Sequence, residues 1–291
     1  MLIILNFINN KAADSPLVLR GYGMNIYYSN LCLLGGQLED TLQQLPEQGS
    51  SHLELMMDGV AWDSFEQRQE ELLSVIRSFP VTCSLHTPCW DVNMAAENRH
   101  VRDAGLQSAL DALEFAARLG CTHLVVHPGF CQTPVFDRSK AQHHARQALE
   151  ILCRRAGETG VRLAVENVGY GGTCLYNYPE FSSLLDRLGS EVGYLLDVGH
   201  AVLNGWDPVA ATRHLAPRLL ALHLHDNDGV TDSHLPIGQG TIPWDALWEE
   251  VARLPHSVNL ILEYNFGTPL ERLAKDKHML EARLGLAGAK A

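Results

Sequence analysis

Residues that can bind a metal or transfer a proton recur at the ends of short apolar runs in this chain. Eight such runs alternate with longer segments, and six of them end in, or next to, a histidine or a carboxylate. In a parallel barrel the carboxyl ends of the strands meet on one face, so these side chains would face a common space. The strand-end residues are His86, His127, Glu166, Asp197, His223, His225 and Glu263.

Three of these residues are acids whose convergence needs an explanation. The carboxylates of Glu166, Asp197 and Glu263 would repel each other strongly in a partly dry site unless they are protonated or bridged by a cation. Mixed histidine and carboxylate ligands suit zinc, manganese, iron or cobalt better than calcium. Taken singly, each residue also fits a structural role, as a hydrogen-bonded histidine or an acid in the first turn of a helix. The combination predicts a divalent-metal site.

Two further segments bring more ligand types to the same edge. His200 follows Asp197 by three residues in LLDVGH, and residues 223–240 contain Asp232 and His234 as an Asp-x-His pair. Both segments follow predicted strands, so we expect their side chains to reach the mouth of the barrel.

Glycines mark two of the loops that would surround this site. Gly238 and Gly240 allow the loop after residue 223 to turn back over it. The glycine-rich stretch 165–173 could hold an anion, and a plain flexible turn explains it equally well.

The alternation of short apolar runs and longer helical patterns determines the predicted fold. Strands of about five to seven residues between longer helices are typical of parallel βαβ units. Eight units favour one closed barrel, so the predicted fold class is α/β, a single (β/α)8 TIM barrel. The predicted strands are 18–24, 52–57, 81–86, 122–127, 161–166, 192–197, 219–225 and 258–263.

Helices are predicted where alanine and leucine recur at three- and four-residue spacing, as in 101–119 and 139–157. Gly120, Gly160 and Gly189 stand where the C-caps of helices are expected.

Length and composition agree with one globular domain. The chain has 291 residues, of which 46% are hydrophobic and 19% charged, and a barrel of about 250 residues with short extensions fits this length. We predict one domain over 1–291, with 1–16 as an irregular N-terminal extension.

Charge, cysteines and the N-terminal segment disfavour several classes of protein. The net charge of −12 disfavours a surface that grips nucleic acid as a whole. The seven cysteines form no CxxC pair, which favours a reducing compartment with free thiols. The apolar start lacks a preceding basic residue and is too short for a membrane span. We therefore predict a cytoplasmic protein without a membrane partner.

In the segments VENVGYGG, LLDVGH, DSHLPIGQG and LILE the sequence resembles the xylose-isomerase-like barrel superfamily. The resemblance covers nearly the whole chain from about residue 20. That superfamily includes sugar isomerases and epimerases and, as one branch, the abasic-site DNA repair enzymes of the endonuclease IV type. In the epimerases and isomerases a Glu, an Asp, a His and a Glu from four strands hold one metal. The resemblance implies this metal-ligand role for Glu166, Asp197, His223 and Glu263.

The choice between the two histidines of strand seven rests on the resemblance. The ligand histidine of the family opens an H-x-x-D pattern, which HLHD matches from His223. Since His223 and His225 share a face of the strand, alternation alone does not separate them.

The endonuclease IV branch uses a larger ligand set that supports three zinc ions. Its loops after the early strands carry arginine and aromatic contacts to DNA, whereas residues 56–65 and 86–93 here hold acids and Trp62 or Trp90. Without phosphate-neutralising side chains, nucleic acid is disfavoured as a partner. The added ligand positions of that branch match His86, His127, His200, Asp232 and His234.

The lysines and the tryptophans give two further indications about the site. Isomerases of the xylose isomerase type use a lysine near the metal, and all five lysines here lie away from the strand ends, which also argues against Schiff-base chemistry. Trp62, Trp90 and Trp206 are predicted either to wall a small-molecule pocket or to pack in the core.

The leading hypothesis is isomerisation or epimerisation of a sugar or related polyhydroxy ketone through an enediolate. Glu166 and Glu263 would be base and acid, with one to three divalent ions, zinc or manganese foremost.

One alternative is a multi-zinc phosphodiesterase acting on abasic DNA, and another is a non-catalytic barrel that binds a sugar or metal. Dehydration of a hydroxy-keto acid would use the same residues. A homo-oligomer is compatible with the sequence. The residues predicted to bind the carbohydrate substrate are His86, Trp90, His200 and His225.

Overall fold

The computed structural model of the protein describes residues 24–286. In this part of the chain eight parallel strands form a closed barrel in sequence order, with the first strand paired to the last. The predicted (β/α)8 barrel is confirmed. The strands are β1 (Ile26–Ser29), β2 (His52–Met56), β3 (Thr82–His86), β4 (Leu124–Val126), β5 (Leu163–Glu166), β6 (Val192–Asp197), β7 (Leu219–Leu224) and β8 (Asn259–Leu262).

Helices surround the barrel and bury their apolar faces against it. They are α1 (Leu38–Glu47), α2 (Phe65–Arg77), α3 (Arg99–Leu119), α4 (Arg138–Thr159), α5 (Tyr178–Ser182), α6 (Val198–Leu203), α7 (Pro208–Leu215), α8 (Trp244–Val251) and α9 (Glu271–Leu284). Short 3-10 helices lie at Asn30–Leu33, Val60–Trp62 and Ala216–Arg218. Among the described helices, none combines the length and apolar character needed to cross a membrane.

The predicted helix ends are partly confirmed. Gly120 and Gly160 follow α3 and α4 in the left-handed conformation expected of C-caps, with φ of 79° and 78°. The prediction for Gly189 is wrong, because α5 ends at Ser182 and turns separate the two. Gly189 instead lies against the carboxylate of Glu191, which a Cβ there would meet at 2.2 Å.

The first predicted strand, 18–24, and the proposed extension 1–16 lie outside the described residues, apart from Met24. The first strand of the described barrel, β1, begins at Ile26. The weak periodicity of this region gave no boundary to follow, and the register is determined by pairing of Ile26 with Leu260 across the barrel closure.

The alternation of side chains along the strands determines where the candidate site residues lie. Five of the seven residues of a small buried apolar cluster come from five different strands, and each lies two positions before a predicted site residue. Side chains two residues apart point to the same side of a strand, so the site residues lie directly above this apolar plug at the barrel mouth. The plug residues and the site residues above them are Val125 and His127, Ala164 and Glu166, Leu195 and Asp197, Ala221 and His223, and Ile261 and Glu263.

The loop after β7 is held by one fully buried acid, Asp226. Its Oδ2 accepts hydrogen bonds from Gly238 N at 3.0 Å and from Trp244 Nε1 at 2.7 Å. Its Oδ1 accepts from Asn227 N at 3.0 Å and Ile242 N at 3.1 Å. Gly240 lies so close that a Cβ would approach Asn227 O to 2.1 Å. These contacts fold the loop back toward the barrel mouth, as its glycines predict.

We expect Asp226→Asn to lower the free energy of unfolding by about 2–4 kcal/mol, because an amide N–H₂ would then face buried donors. Urea unfolding followed by circular dichroism measures this loss. Asp228→Asn is the matched control, since Asp228 is exposed and accepts from Val230 N and Thr231 N in the same loop. Equal losses in the two variants would contradict the role given to Asp226.

Candidate metal centre

Glu166 stands at the centre of the polar cluster at the barrel mouth. Its Oε2 lies 3.0 Å from His127 Nε2 and 3.3 Å from His86 Nε2. Its Oε1 lies 3.2 Å from His200 Nδ1 and 3.5 Å from His223 Nδ1. Each oxygen of this buried carboxylate therefore faces a different pair of imidazoles.

His223 joins the acids of three strands. Its Nδ1 is 3.2 Å from Glu263 Oε2 and 3.6 Å from Asp197 Oδ2. Asp197 and His223 are directly paired in the register of β6 and β7, which brings the carboxylate and the imidazole side by side. The structure thus brings together the four residues to which the resemblance assigns one metal: Glu166, Asp197, His223 and Glu263.

A third group lies beside this set, toward the loop after β7. His200 Nε2 is 3.1 Å from Asp232 Oδ2, and His234 Nε2 is 3.3 Å from Asp232 Oδ1. The candidate ligand atoms of His200, Asp232 and His234 all lie within 4.8 Å of one another, as do those of His86, His127 and Glu166.

Several buried donor atoms in these groups are unpartnered, which tests whether a cation fits. Nδ1 of His200, Nδ1 of His223 and Oδ1 of Asp232 are buried without a hydrogen-bond partner. Buried polar atoms without partners cost free energy, and a divalent ion bound by nitrogen and oxygen would satisfy them. The residues therefore fit a divalent-metal centre with the zinc or manganese type of ligand set.

The carboxylates and imidazoles shift each other's proton affinity. Burial lowers the pKa of His86, but the hydrogen bond and charge of Glu166 outweigh it and raise that pKa to about 9. Burial also opposes charge on His223, yet the charges of Glu263 and Glu166 raise its pKa well above the usual range. The pKa of Glu166 is correspondingly low, since His127 and His223 outweigh its burial.

These shifted pKa values predict that the stability of the metal-free protein depends on pH. The unfolded pKa of a histidine is about 6.5, while the folded pKa values of His86 and His234 are about 9. Groups with raised folded pKa values stabilise the fold fully below the unfolded pKa, and that stabilisation is lost as pH rises through the folded pKa. We expect the melting temperature in excess chelator to fall between pH 7 and about 10. A melting temperature that rises across this interval would contradict the assignment. His86→Gln should flatten the slope.

His225, the other histidine of β7, is placed differently from His223. It is fully buried, its Nε2 lies 3.0 Å from Asp197 Oδ2, and its ring stacks on His234 with centroids 3.8 Å apart. Gly199 makes room for this ring, because a Cβ there would lie 2.1 Å from His225 Cε1. His225 does not line the cavity at the barrel mouth. Its predicted contact with substrate stays a prediction.

Two residues that sequence reasoning did not single out support the centre. Glu54 Oε1 lies 2.8 Å from His223 Nε2, beneath the site, and both side chains are fully buried. Asn167 donates from Nδ2 to Asp197 O at 2.9 Å and accepts from Asp197 N at 2.8 Å. A charged residue inside the apolar run HLELMM was the available signal for Glu54.

A cavity of about 600 Å³ opens above the ligand groups. Trp90 lines it and is 59% exposed. Trp62 packs in the core against Phe115, and Trp206 packs against Phe181, so the pocket-wall prediction fits Trp90 alone. The predicted site residues that line this cavity are His86, Trp90, His127, Glu166, His200, Asp232, His234 and Glu263.

Fold and site together define a TIM barrel with a histidine-carboxylate centre at the carboxyl ends of its strands. The chain belongs to the xylose isomerase-like TIM barrel family, which matches residues 42–282.

Two relatives align with most of this chain. An uncharacterised protein of Methanocaldococcus jannaschii is 27% identical over 217 residues, covering 75% of this chain and 82% of that protein. A probable endonuclease 4 of Thermoplasma acidophilum is 24% identical, covering 62% of this chain and 68% of its own.

Solved structures show the same fold. A D-tagatose 3-epimerase-like protein superposes with a TM-score of 0.79 at 22% identity, covering 90% of this chain and 98% of its own. A Thermus thermophilus protein soaked with ZnCl2 superposes with a TM-score of 0.70 at 25% identity, covering 91% of this chain and 99% of its own.

Proposed function

We propose that the protein is a metal-dependent isomerase or epimerase acting on a sugar or related polyhydroxy ketone. The observation that carries this proposal is the placement of two carboxylates, Glu166 and Glu263, in the wall of one cavity around His223 Nδ1. They approach this nitrogen at 3.5 Å and 3.2 Å. Two carboxylates that share a site can take and return a proton on opposite faces of one carbon.

The chain's own residues supply the proton transfers. A divalent ion bound by Glu166, Asp197, His223 and Glu263 would supply Lewis-acid stabilisation of negative charge on two adjacent substrate oxygens. One glutamate takes the α-proton, the C–H electron pair forms the C=C bond of an enediolate, and the carbonyl π pair moves onto its oxygen. The other glutamate, which starts protonated, then gives its proton to the opposite face of the carbon as the carbonyl forms again. His86 and His200 line the cavity, and in this proposal they orient hydroxyl groups of the substrate.

The test is carbon-bound deuterium incorporation. The metal-loaded protein is incubated in heavy water with a panel of ketoses, and proton NMR measures exchange at each α-carbon. We expect exchange with at least one ketose and its loss in Glu263→Gln, with Glu249→Gln as an exposed glutamate control. Absence of exchange throughout the panel, with zinc and with manganese, would falsify the proposed reaction. Tight sugar binding without exchange would instead favour a non-catalytic binding barrel.

A second candidate function, phosphodiester hydrolysis at abasic sites in DNA, is favoured by one specific observation. His200, Asp232 and His234 form a further ligand group beside the four-residue centre, so the site has ligands for more than one ion. Two or three ions can hold both the attacking and the leaving oxygen of a phosphodiester. Against it, no lysine or arginine lines the cavity within the described residues 24–286.

The variant Asp232→Ala tests the phosphodiesterase candidate. Asp232→Ala should abolish nicking of an abasic duplex if the phosphodiesterase reaction is the activity, because the third group loses its shared carboxylate. Elemental analysis of the wild type and of this variant gives the number of ions bound through Asp232. Nicking that survives in Asp232→Ala, or its absence in the wild type, would count against this candidate.

A further inference from the structure

A second groove adjoins the cavity above the metal centre. It has a volume of about 560 Å³ and runs between the loop after β3 and the loop after β4. Trp90, Phe130 and Gln132 line both spaces, so the groove and the cavity lie side by side and share these residues. Sites of about 300–1,000 Å³ hold drug-sized ligands, so the cavity of about 600 Å³ together with this groove exceeds what one monosaccharide fills.

The walls of the groove combine flat aromatic rings with short polar side chains. Trp90, Phe130 and Phe136 offer apolar faces, while Gln132 and Asn98 offer amide donors and acceptors. The apolar face of a pyranose ring packs on aromatic side chains, and its hydroxyl groups pair with amides and carboxylates. This composition suits a saccharide better than a hydrocarbon.

The charge of the groove selects against anionic ligands. Asp91 and Glu97 line it, and within residues 24–286 no lysine or arginine does so. A phosphate or carboxylate placed there would meet negative charge without a compensating donor cation. The ligand that complements the groove is therefore not an anion.

The groove is held in shape by one buried side chain. Asn93 Nδ2 donates to Phe130 O at 3.0 Å, and Asn93 Oδ1 accepts from Phe130 N at 3.0 Å and from Ala95 N at 3.0 Å. These bonds tie the loop after β3 to the loop after β4, so the groove exists before a ligand binds and costs little ordering entropy on binding.

From these observations we infer that the groove is a second saccharide subsite and that the substrate is a glycosylated sugar rather than a free or phosphorylated monosaccharide. The inference rests on the proposed isomerase or epimerase function, because it assigns the reacting ketose unit to the metal cavity. The second, unreactive sugar lies beyond Trp90, between Phe130 and Phe136.

The experiment compares substituents on one reacting sugar, D-fructose. The probes are D-fructose itself, its O6, O5 and O4 glycosides (isomaltulose, leucrose and lactulose), and D-fructose 6-phosphate as the anionic counterpart of isomaltulose. Deuterium exchange gives kcat/KM, and calorimetry on the metal-loaded protein gives Kd. We expect at least one disaccharide to exceed D-fructose by about tenfold or more in kcat/KM, and D-fructose 6-phosphate to fall below that disaccharide.

A variant that fills the groove tests whether the second sugar binds there. Val101 lies in the first turn of α3, lines the groove and does not line the metal cavity. Val101→Trp should lower the ratio of disaccharide to D-fructose kcat/KM by about tenfold. Val60→Trp is the matched control, because Val60 is an exposed valine in a short helix outside both spaces. Melting curves check that both variants fold.

The possible results distinguish failure of the saccharide subsite from failure of the proposed reaction. Exchange with D-fructose but no preference for any disaccharide overturns the subsite and keeps the reaction. Preferred disaccharide binding that Val101→Trp removes, without exchange on any sugar, keeps the subsite and overturns the reaction. A ratio that Val60→Trp lowers as much as Val101→Trp, or a preference for D-fructose 6-phosphate over every disaccharide, overturns the subsite.

Discussion

Glu166→Gln is expected to release most of the bound divalent metal and to lower turnover at least about a thousandfold. The two oxygens of Glu166 face different imidazole pairs, His86 with His127 on one side and His200 with His223 on the other. Glutamine keeps the shape of the side chain but replaces one anionic oxygen with an N–H₂ group, which cannot bind a cation. A single substitution therefore removes the ligand atom of one group and leaves the other with a neutral amide oxygen in place of a carboxylate.

The measurement is elemental analysis after dialysis, together with deuterium exchange or whichever activity is found. Glu263→Gln is an informative comparison, because Glu263 Oε2 contacts His223 and His234 but is not in the group of His86 and His127. We expect Glu166→Gln to lose more ions per chain than Glu263→Gln. Equal metal content in wild type and Glu166→Gln would show that the carboxylate does not hold an ion, and the proposed centre would fail with it.

The general position of this site could be predicted from the sequence because the alternation of side chains on a strand is strict. Leu195 and Asp197 are two positions apart, as are Ile261 and Glu263, so an apolar plug with acids above it follows once a closed parallel barrel is assumed. The strands β2 to β8 agree with the predicted runs within two residues at each end.

Other features could not be predicted, since they depend on contacts between distant parts of the chain. Glu54 meets His223 across 169 positions of sequence, and only closure of the barrel makes them neighbours. The difference between His223 and His225 has the same origin, because both point inward and only the surrounding acids distinguish them. Gly189 was misassigned since turns, not a longer helix, follow α5, and a local pattern does not report that.

The second substitution with a large expected effect is at Glu54, which lies beneath the proposed metal centre. Its Oε1 lies 2.8 Å from His223 Nε2, and its Oε2 accepts from Ser84 Oγ at 3.1 Å. Burial raises the pKa of Glu54, but the charge of His223 and hydrogen bonds from His123 and His223 outweigh it and keep the carboxyl ionised. An ionised acceptor at Nε2 holds the proton there and leaves Nδ1, which faces Glu263 and Glu166, free to bind a cation.

We expect Glu54→Gln to weaken metal binding by about 10–100-fold, because the neutral amide no longer increases the basicity of His223 or fixes its tautomer. Chelator competition measures the affinity, and the visible spectrum of the cobalt-substituted protein reports the ligand field, which a purely structural role would not move. Ser84→Ala is the control: it removes the hydrogen bond to Oε2 and leaves the contact between Oε1 and His223. If Ser84→Ala weakens metal binding as much as Glu54→Gln, the effect belongs to packing beneath the barrel mouth rather than to the imidazole. A spectrum and affinity unchanged in Glu54→Gln would mean that His223 takes its orientation from the carboxylates around Nδ1 alone.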